Sequence, residues 1–585
     1  MPTHPNYDRF PKTRITGFDD AAVAGYEAIV ARLIARAAVF GQPKVIIAIE
    51  CYPGVLETEV LPALQSGLKP VLTVLADDAL WPHEHIKAML ARDLTEDRVR
   101  GFMNNWRMEE FFDAGKLAEL QQRIATVTEG VVLVYGTGAT LVAPGDVLVY
   151  ADLARWEIQL RYRRGDITNW GADNRHEDFL RMYKRGYFVD WRVADRRKQT
   201  LLGRIDFLVD TNTVGSPKMI TGEAFRAALH QTARRPFRVV PYFDAGPWGG
   251  QWMKRVCQLD PAAPNYAWCF DGVPEENSLL LDFGGPVVEV PALDLVLDQP
   301  GALLGDLVHA RFGAEFPIRF DFLDTMGGGN LSLQVHPTTE YMREHFGLPY
   351  TQDESYYLLD AEPGAVVYLG VKTGVDPKAL IADLERAQAG EIDFDAEKYV
   401  NVLPARKHDH FLIPAGTIHC SGANSMVLEI SATPYIFTFK LWDWGRLGLD
   451  GKPRPIHIEH GQRVLNYTYD TEAIHRDHVN CIEPVAQGDG WREERTGLHR
   501  REFIETRRHW FTGTVPHDTQ GNVNMLNLVQ GAEAIIESPT NAFPPLVVHY
   551  AETFIIPASV GPYTIRPHGP GADTECATMK AFVRG

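Results

Sequence analysis

In the stretch NLSLQVHP (residues 330–337) a hydroxyl, an amide and an imidazole fall on alternate positions: Ser332, Gln334 and His336 interleave with Leu331, Leu333 and Val335. Residues two apart in an extended strand share a face, so three polar groups look one way and three aliphatic ones the other. A single histidine in such a row is more often hydrogen-bonded structure than a ligand. Two further groups change the balance. Glu354 stands at the entrance of an alternating strand in TQDESYYLLD (351–360), and His419 follows a Pro-Ala-Gly turn in FLIPAGTIHCSG (411–422). Two imidazoles, a carboxylate and a neutral oxygen suit a divalent ion of borderline softness. Their spacing alone leaves open whether the four meet.

The elements that would position them belong to a long chain. Its 585 residues imply about three domains, and 45% hydrophobic with 23% charged residues is a globular composition. A net charge of −18 argues against nucleic acid or an anionic membrane as partner. MPTHPNYDRF has neither the apolar run nor the arginine-rich pattern of a targeting segment. No apolar run reaches the ~20 residues of a membrane span. Cysteines 51, 257, 269, 420, 481 and 576 lack CxxC pairing, which suits free thiols in a reducing, cytoplasmic setting.

The first third alternates apolar strands (44–50, 69–76, 130–136) with polar helical stretches such as 108–127, the pattern of a largely parallel α/β sheet. Beyond about residue 235 proline, glycine and short strands multiply, as in FRVVPYF, AVVYLG, HFLIPAG and TFIIPAS, which reads as all-β with a helical insertion near 376–400. DHFLIPAGTIH (409–419) is echoed by ETFIIPASVGP (552–562), which has no histidine where the first copy has His419. The echo predicts two related small barrels, of which the second only packs.

Taken in order, LSLQVHP (331–337), Glu354 in DESYYLLD, GAVVYLG (364–370), IPAGTIH (413–419) and LEI (428–430) resemble the type I mannose-6-phosphate isomerases, zinc-dependent enzymes of cupin fold. PYFDAGPWGGQWM (241–253) is similar to that family's Trp-Gly-Gly entry segment, and the resemblance runs over roughly residues 238–585. It implies one zinc per chain on Gln334, His336, Glu354 and His419. It also implies catalytic roles for Glu429 and Lys440, and substrate contacts from Ser332 and Arg446. The reaction implied interconverts a mannose-type aldose, phosphorylated at C6 or not, and its fructose-type ketose by proton transfer through an enediol. Lys440 departs from the arginine usual in the family and lacks its planar fork of donors. Asp321 and Gln352 stand where the family carries lysines that face the sugar phosphate, which makes a phosphate dianion less welcome. The alternative is a catalytically weak, metal-containing sugar-binding or regulatory protein.

KVIIAIECYPGVLETEVLPAL (44–64) reads as strand, turn with Gly54, then helix, the place of a P-loop. A working loop needs G-x-x-x-x-G-K-[ST], with the lysine on the phosphates, whereas Val55 and Leu56 follow Gly54. Segments 152–171 and 183–198 resemble the lid region of uridine-kinase-like folds. Arg155, Arg161, Arg163 and Arg164 are then former phosphate grips, or simply a solvated face paired with acids. YGTGAT (135–140) reads as a tight turn. The expected fold is therefore multidomain, α/β plus all-β. Residues 1–225 form a degenerate nucleoside-kinase-like parallel sheet, 235–500 a catalytic cupin with the helical insertion, and 501–585 a second cupin-like barrel without metal ligands. The expected partner is a small sugar or sugar phosphate, and a homo-oligomer is compatible with the sequence.

Overall fold

The computed structural model describes residues 5–433, 437–497 and 502–584. The chain forms two compact units. One contains Lys12–Gln231 together with Ser278–Asp298; the other contains the residues up to Pro11, Thr232–Asn277, and those from Gln299 onward.

In the first unit a seven-stranded sheet has five consecutive parallel strands, from its edge at Leu72–Leu75 through Gly130–Gly136, Lys44–Cys51 and Val147–Asp152 to Phe207–Asp210. Numbered along the chain, their spatial order is second, third, first, fourth, fifth. Ile47, Ile49, Leu133 and Val149 pack against Leu33 of the Tyr26–Ala38 helix and Leu64 of the Glu57–Leu68 helix. The expected 69–76 strand is shorter because Lys69 is the left-handed cap of the preceding helix, at φ 46°. The expected 108–127 helix is broken, because the Asp113 side chain accepts from the Gly115 and Lys116 amides and starts a new helix at Ala114.

A small second sheet finishes this unit. Lys12–Arg14 pairs in parallel with Ser278–Asp282, which pairs antiparallel with Val287–Pro291. The returning segment also brings Asp294 to Lys198. The Lys198 ammonium lies 2.6 Å from Asp152 and closer still to Asp294, and all three side chains are buried. Burial works against the charge on Lys198, but the two carboxylates outweigh it and raise its pKa. Burial pushes Asp294 well above the usual carboxylate range.

The second unit is built from antiparallel sheets. A six-stranded sheet runs His410–Ile413, Asp353–Ala361, Ser425–Ala432, Ile318–Asp324, Trp268–Gly272, Tyr242–Asp244. A five-stranded sheet runs Val400–Pro404, Val366–Val371, His419–Ser421, Leu333–Val335, Phe439–Trp442. The helical insertion is Pro377–Gln388, capped by Asp376, followed by Ala396–Tyr399. Residues from Glu483 to Val583 add a second pair of sheets, with Leu526, Leu528, Ile536, Val548, Phe554 and Ile565 fully buried between them. The two echoed segments occupy like positions: His410–Ile413 and Thr553–Ile556 are each the terminal strand of a six-stranded sheet.

The buried charge triad gives a stability test. Lys198→Met leaves two carboxylates buried without their cation and is expected to lower unfolding free energy by about 3–5 kcal/mol. Urea denaturation followed by tryptophan fluorescence reads this, and a change near zero would show that the triad carries no net charge compensation.

Candidate metal centre

Only Leu333–Val335 of the NLSLQVHP stretch pairs as strand, yet the alternation decides what faces what. Gln334 lies opposite His419 on one side and opposite Lys440 on the other. Cross-strand partners share a face, so Lys440, Gln334 and His419 form one row. On the facing sheet Glu354 is opposite Ser431, and Glu429 is opposite both Tyr356 and Asp321. The two sheets meet at the carboxylate: Glu354 Oε2 is 3.0 Å from His336 Nε2 and Oε1 is 2.9 Å from His419 Nε2.

Local chemistry fixes each ligand-type group. His419 is delivered by the Pro-Ala-Gly turn. There Gly416 adopts φ 89°, a conformation strained for any residue with a Cβ. The Thr417 hydroxyl donates to the Pro414 carbonyl at 2.7 Å, and the Ala415 amide donates to Asp353 at 2.7 Å. Both imidazoles are held through Nδ1, with His336 bonded to the Phe437 carbonyl at 2.9 Å and His419 to the Thr417 carbonyl at 2.8 Å. Such backbone partners fix the tautomer and leave Nε2 with its lone pair. His336 Nε2 and Glu354 Oε1 are buried and, despite their short contacts, make no aligned hydrogen bond. Buried polar atoms that converge without hydrogen-bond geometry are the arrangement that ligands of a cation take.

His336, Glu354 and His419 each offer one atom to a set lying within 4.8 Å of one another. The amide of Gln334 sits 3.2 Å from His419 Nε2; its two ends are isosteric, so the carbonyl oxygen can occupy the same place. The donor set fits a divalent ion. Burial alone would raise the Glu354 carboxyl, but His336, followed by His419, outweighs it and holds Glu354 well below the carboxylate range. Burial likewise opposes the charge on His336, and Glu354 overcomes it and raises the imidazole.

The sequence reading gave Gln352 no place in the site except as a missing lysine. In the structure its Nε2 donates to Glu354 Oε2 at 2.8 Å and to Glu429 Oε1 at 3.1 Å, while its Oε1 accepts from the Phe437 amide at 2.9 Å. Gln352 thus ties the carboxylate between the histidines to the candidate catalytic one. Ser431 also donates to Glu429 Oε1, at 2.9 Å. Burial, then the charges of Glu354 and Asp321, push Glu429 well above its usual range. Asp321 is pushed up to about 7 by burial, opposed by Arg319 and reinforced by Glu354, Glu276 and Glu275. The one available signal for Gln352 was its parity: two residues before Glu354, it must share that face.

Ser332 and Arg446 meet elsewhere in the site's wall, around Asp443. Ser332 Oγ donates to Asp443 at 3.1 Å and accepts from Arg454 at 3.0 Å; Arg446 and Arg454 each bond Asp443 at 2.5 Å. Asp443 and Arg454 escaped the sequence reading because nothing local marks them.

In the first unit, the features singled out in the sequence are filled by the protein itself. A Cβ on Gly54 would meet Ile158 at 3.0 Å, and the Gly54 carbonyl accepts from Arg161. Arg155 pairs with Asp195 and Arg164 with Glu157 and Asp166, while Arg163 stacks on Phe179. The amides of Gly138 and Thr140 in YGTGAT donate to the Glu50 carboxylate at 2.6 and 2.8 Å.

Residues 25–234 match the model of a domain of unknown function (DUF8485). The chain is also similar, over part of its length, to curated mannose-6-phosphate isomerases. It is 32% identical over 222 residues to that of Streptococcus mutans, spanning 37% of this chain and 64% of that protein. It is 29% identical over 173 residues to ManA of Bacillus subtilis, spanning 30% and 51%. The chain thus spans about half to just under two thirds of the length of these relatives. The crystal structure of the Bacillus subtilis mannose 6-phosphate isomerase superposes with a TM-score of 0.48 at 16% identity, covering 59% of this chain and 99% of that one.

Metal binding has a readout independent of turnover. Zinc added to metal-free protein is expected to raise the melting temperature, since a ligand of the native state alone stabilises it by about 2.7 kcal/mol at a hundredfold excess over Kd. His419→Ala is expected to abolish the shift in scanning calorimetry. An equal shift in the variant would remove His419 from the ligand set.

Proposed function

We propose that the second unit is a zinc-dependent aldose–ketose isomerase, interconverting a mannose-type aldose and its fructose-type ketose. The observation that carries this reading is the convergence of His336, Glu354 and His419 with Glu429 tethered beside them through Gln352. The similarity to mannose-6-phosphate isomerases supports the same class of reaction. Gln334, His336, Glu354 and His419 would hold the zinc. Bound there, the ion would polarise the sugar's carbonyl and hydroxyl oxygens and lower the cost of an enediol.

The chain's own groups handle the proton. Isomerisation carries a proton between C1 and C2 of the open-chain sugar and needs a base within reach of both. Glu429 Oε1 takes the hydrogen bonds from Gln352 and Ser431, and Oε2 is the oxygen that would take the proton from carbon. Lys440, in the row with Gln334 and His419, would offer positive charge to the oxygen on which negative charge develops. Asp443, gripped by Arg446 and Arg454, sets the Ser332 hydroxyl for a sugar hydroxyl. The wall of Glu275, Glu276 and Asp321, with Arg319 as the adjoining cation, favours neutral hydroxyls over a phosphate dianion.

The test is an isomerisation assay of zinc-loaded protein on mannose and fructose and on their 6-phosphates. Turnover is expected on the unphosphorylated pair, and Glu429→Gln should lower kcat by about 10²–10⁴-fold. Zinc-loaded protein that turns over none of these sugars would defeat the isomerase reading and leave the sugar-binding alternative.

We also infer that the first unit is a kinase-like scaffold without phosphoryl transfer. Its strand order and the strand-turn-helix at 44–64 support the likeness. The self-filled turn at Gly54 and the missing lysine argue against activity. Calorimetry with ATP and magnesium is expected to show no tight binding, and magnesium-dependent saturation would contradict the inference.

A further inference from the structure

The first unit contains a cavity of about 830 Å³, within the range that small-molecule sites occupy. One wall is the His83–Leu94 helix and the turn after it; the other is the segment from Asp173 to Arg185. Both follow strands of the parallel sheet whose carboxyl ends lie at Leu75 and Asp152. Crevices beyond such ends are where open parallel sheets bind ligands.

Lys87, Arg175, Arg181, Lys184 and Arg185 line this cavity, in a protein whose net charge is −18. The partners of these cations are mostly uncharged. Lys184 donates to the carbonyls of Leu94, at 2.6 Å, and Asp97; Arg175 donates to those of Gly165 and Asp166; Arg181 donates to that of Glu96. Only Arg185 pairs with a carboxylate, that of Asp190 at 3.3 Å. Among the described residues, Lys87, Arg175, Arg181 and Lys184 enter no ion pair. Carbonyls position a cation without cancelling its charge, so the positive potential reaches the cavity. Burial, then Arg181, lowers the pKa of Lys184, against the opposing pull of Asp97, Glu177 and Glu96.

The remaining lining narrows the anion. Glu96, Asp173 and Glu177, with Asn174 and Thr95, supply carboxylate, amide and hydroxyl groups, the partners that sugar hydroxyls take. The only rings that line the cavity, among the described residues, are the imidazoles of His83 and His176, with no phenyl, phenol or indole beside them, so the lining is richer in partners for hydroxyls than in stacking faces for a nucleobase. We infer that this cavity is a binding site for a phosphorylated sugar, with the cations on the phosphate and the polar groups on the hydroxyls. It is separate from the metal centre, and its occupancy does not depend on turnover there.

The experiment is titration calorimetry of the full chain at fixed ionic strength with fructose 6-phosphate, inorganic pyrophosphate and AMP. Fructose 6-phosphate is expected to give a saturable binding event that Lys87→Glu and Arg181→Glu each weaken by about tenfold or more. Arg123→Glu, a charge reversal on an exposed position of another helix, should leave it unchanged. Lys87 is exposed, so its reversal tests the site without disturbing a core. The inference is overturned by the absence of saturable binding, by affinities unmoved in both cavity variants, which would place the ligand at the metal centre, or by AMP binding more tightly than the sugar phosphate. Pyrophosphate weakened by the same two variants would support the phosphate end; pyrophosphate bound as tightly as the sugar phosphate would overturn the assignment of a sugar.

Discussion

A carboxylate taken fully out of water costs several kcal/mol unless cations or hydrogen-bond donors surround it, and Glu354 is 1% exposed. Much of the second unit's site follows from that constraint. Its two oxygens need partners from different directions, and the two facing sheets supply them: His419 comes from one side, His336 from the end of a neighbouring strand, and Gln352 from the carboxylate's own strand. The histidines can serve only if their rings are fixed, and the carbonyls of Phe437 and Thr417 fix them. Phe437 then does double duty, since its amide also holds Gln352. One stretch of backbone therefore sets the attitude of an imidazole and of the amide that joins two carboxylates.

The same constraint explains how far the site was legible in the sequence. Strand parity alone put Ser332, Gln334 and His336 on one face, and it needs no tertiary information. The Pro-Ala-Gly turn before His419 was readable because Gly416 must be glycine at a positive φ. On the Glu354 strand parity puts Gln352, Glu354 and Tyr356 on one face, but it cannot say that Gln352 bridges to Glu429. That bridge depends on the pairing of strands 353–361 and 425–432, which are separated by a helical insertion. Asp443 and Arg454 are harder still: an aspartate held by arginines three and eleven residues further along has no pattern until the loop closes.

The first unit shows the converse. Its strands and helices were readable from period and apolar runs, and its most conspicuous residues misdirect. The arginines of segment 152–171 are abundant in the sequence and mostly spent on neighbouring acids and carbonyls. The anion for the amides of the 135–140 turn is Glu50, from the adjacent strand. Cations whose charge remains uncancelled come instead from positions some ninety residues apart, such as Lys87 and Arg181, which only the crossover connections bring together.

Residues 278–298 belong to the unit that starts at Lys12, although 46 residues of the other unit, Thr232–Asn277, intervene. Until they arrive, the Lys12–Arg14 strand lacks its partner and Lys198 lacks Asp294. A ribosome that has finished Gln231 must still add the 67 residues from Thr232 to Asp298. At about 5–20 residues per second this takes roughly 3–13 s. For that interval the seven-stranded sheet has all its strands, while the small three-stranded sheet has only its first and the buried ammonium of Lys198 has one carboxylate instead of two. In this protein the unit begun first cannot be the first one finished without a piece of later sequence.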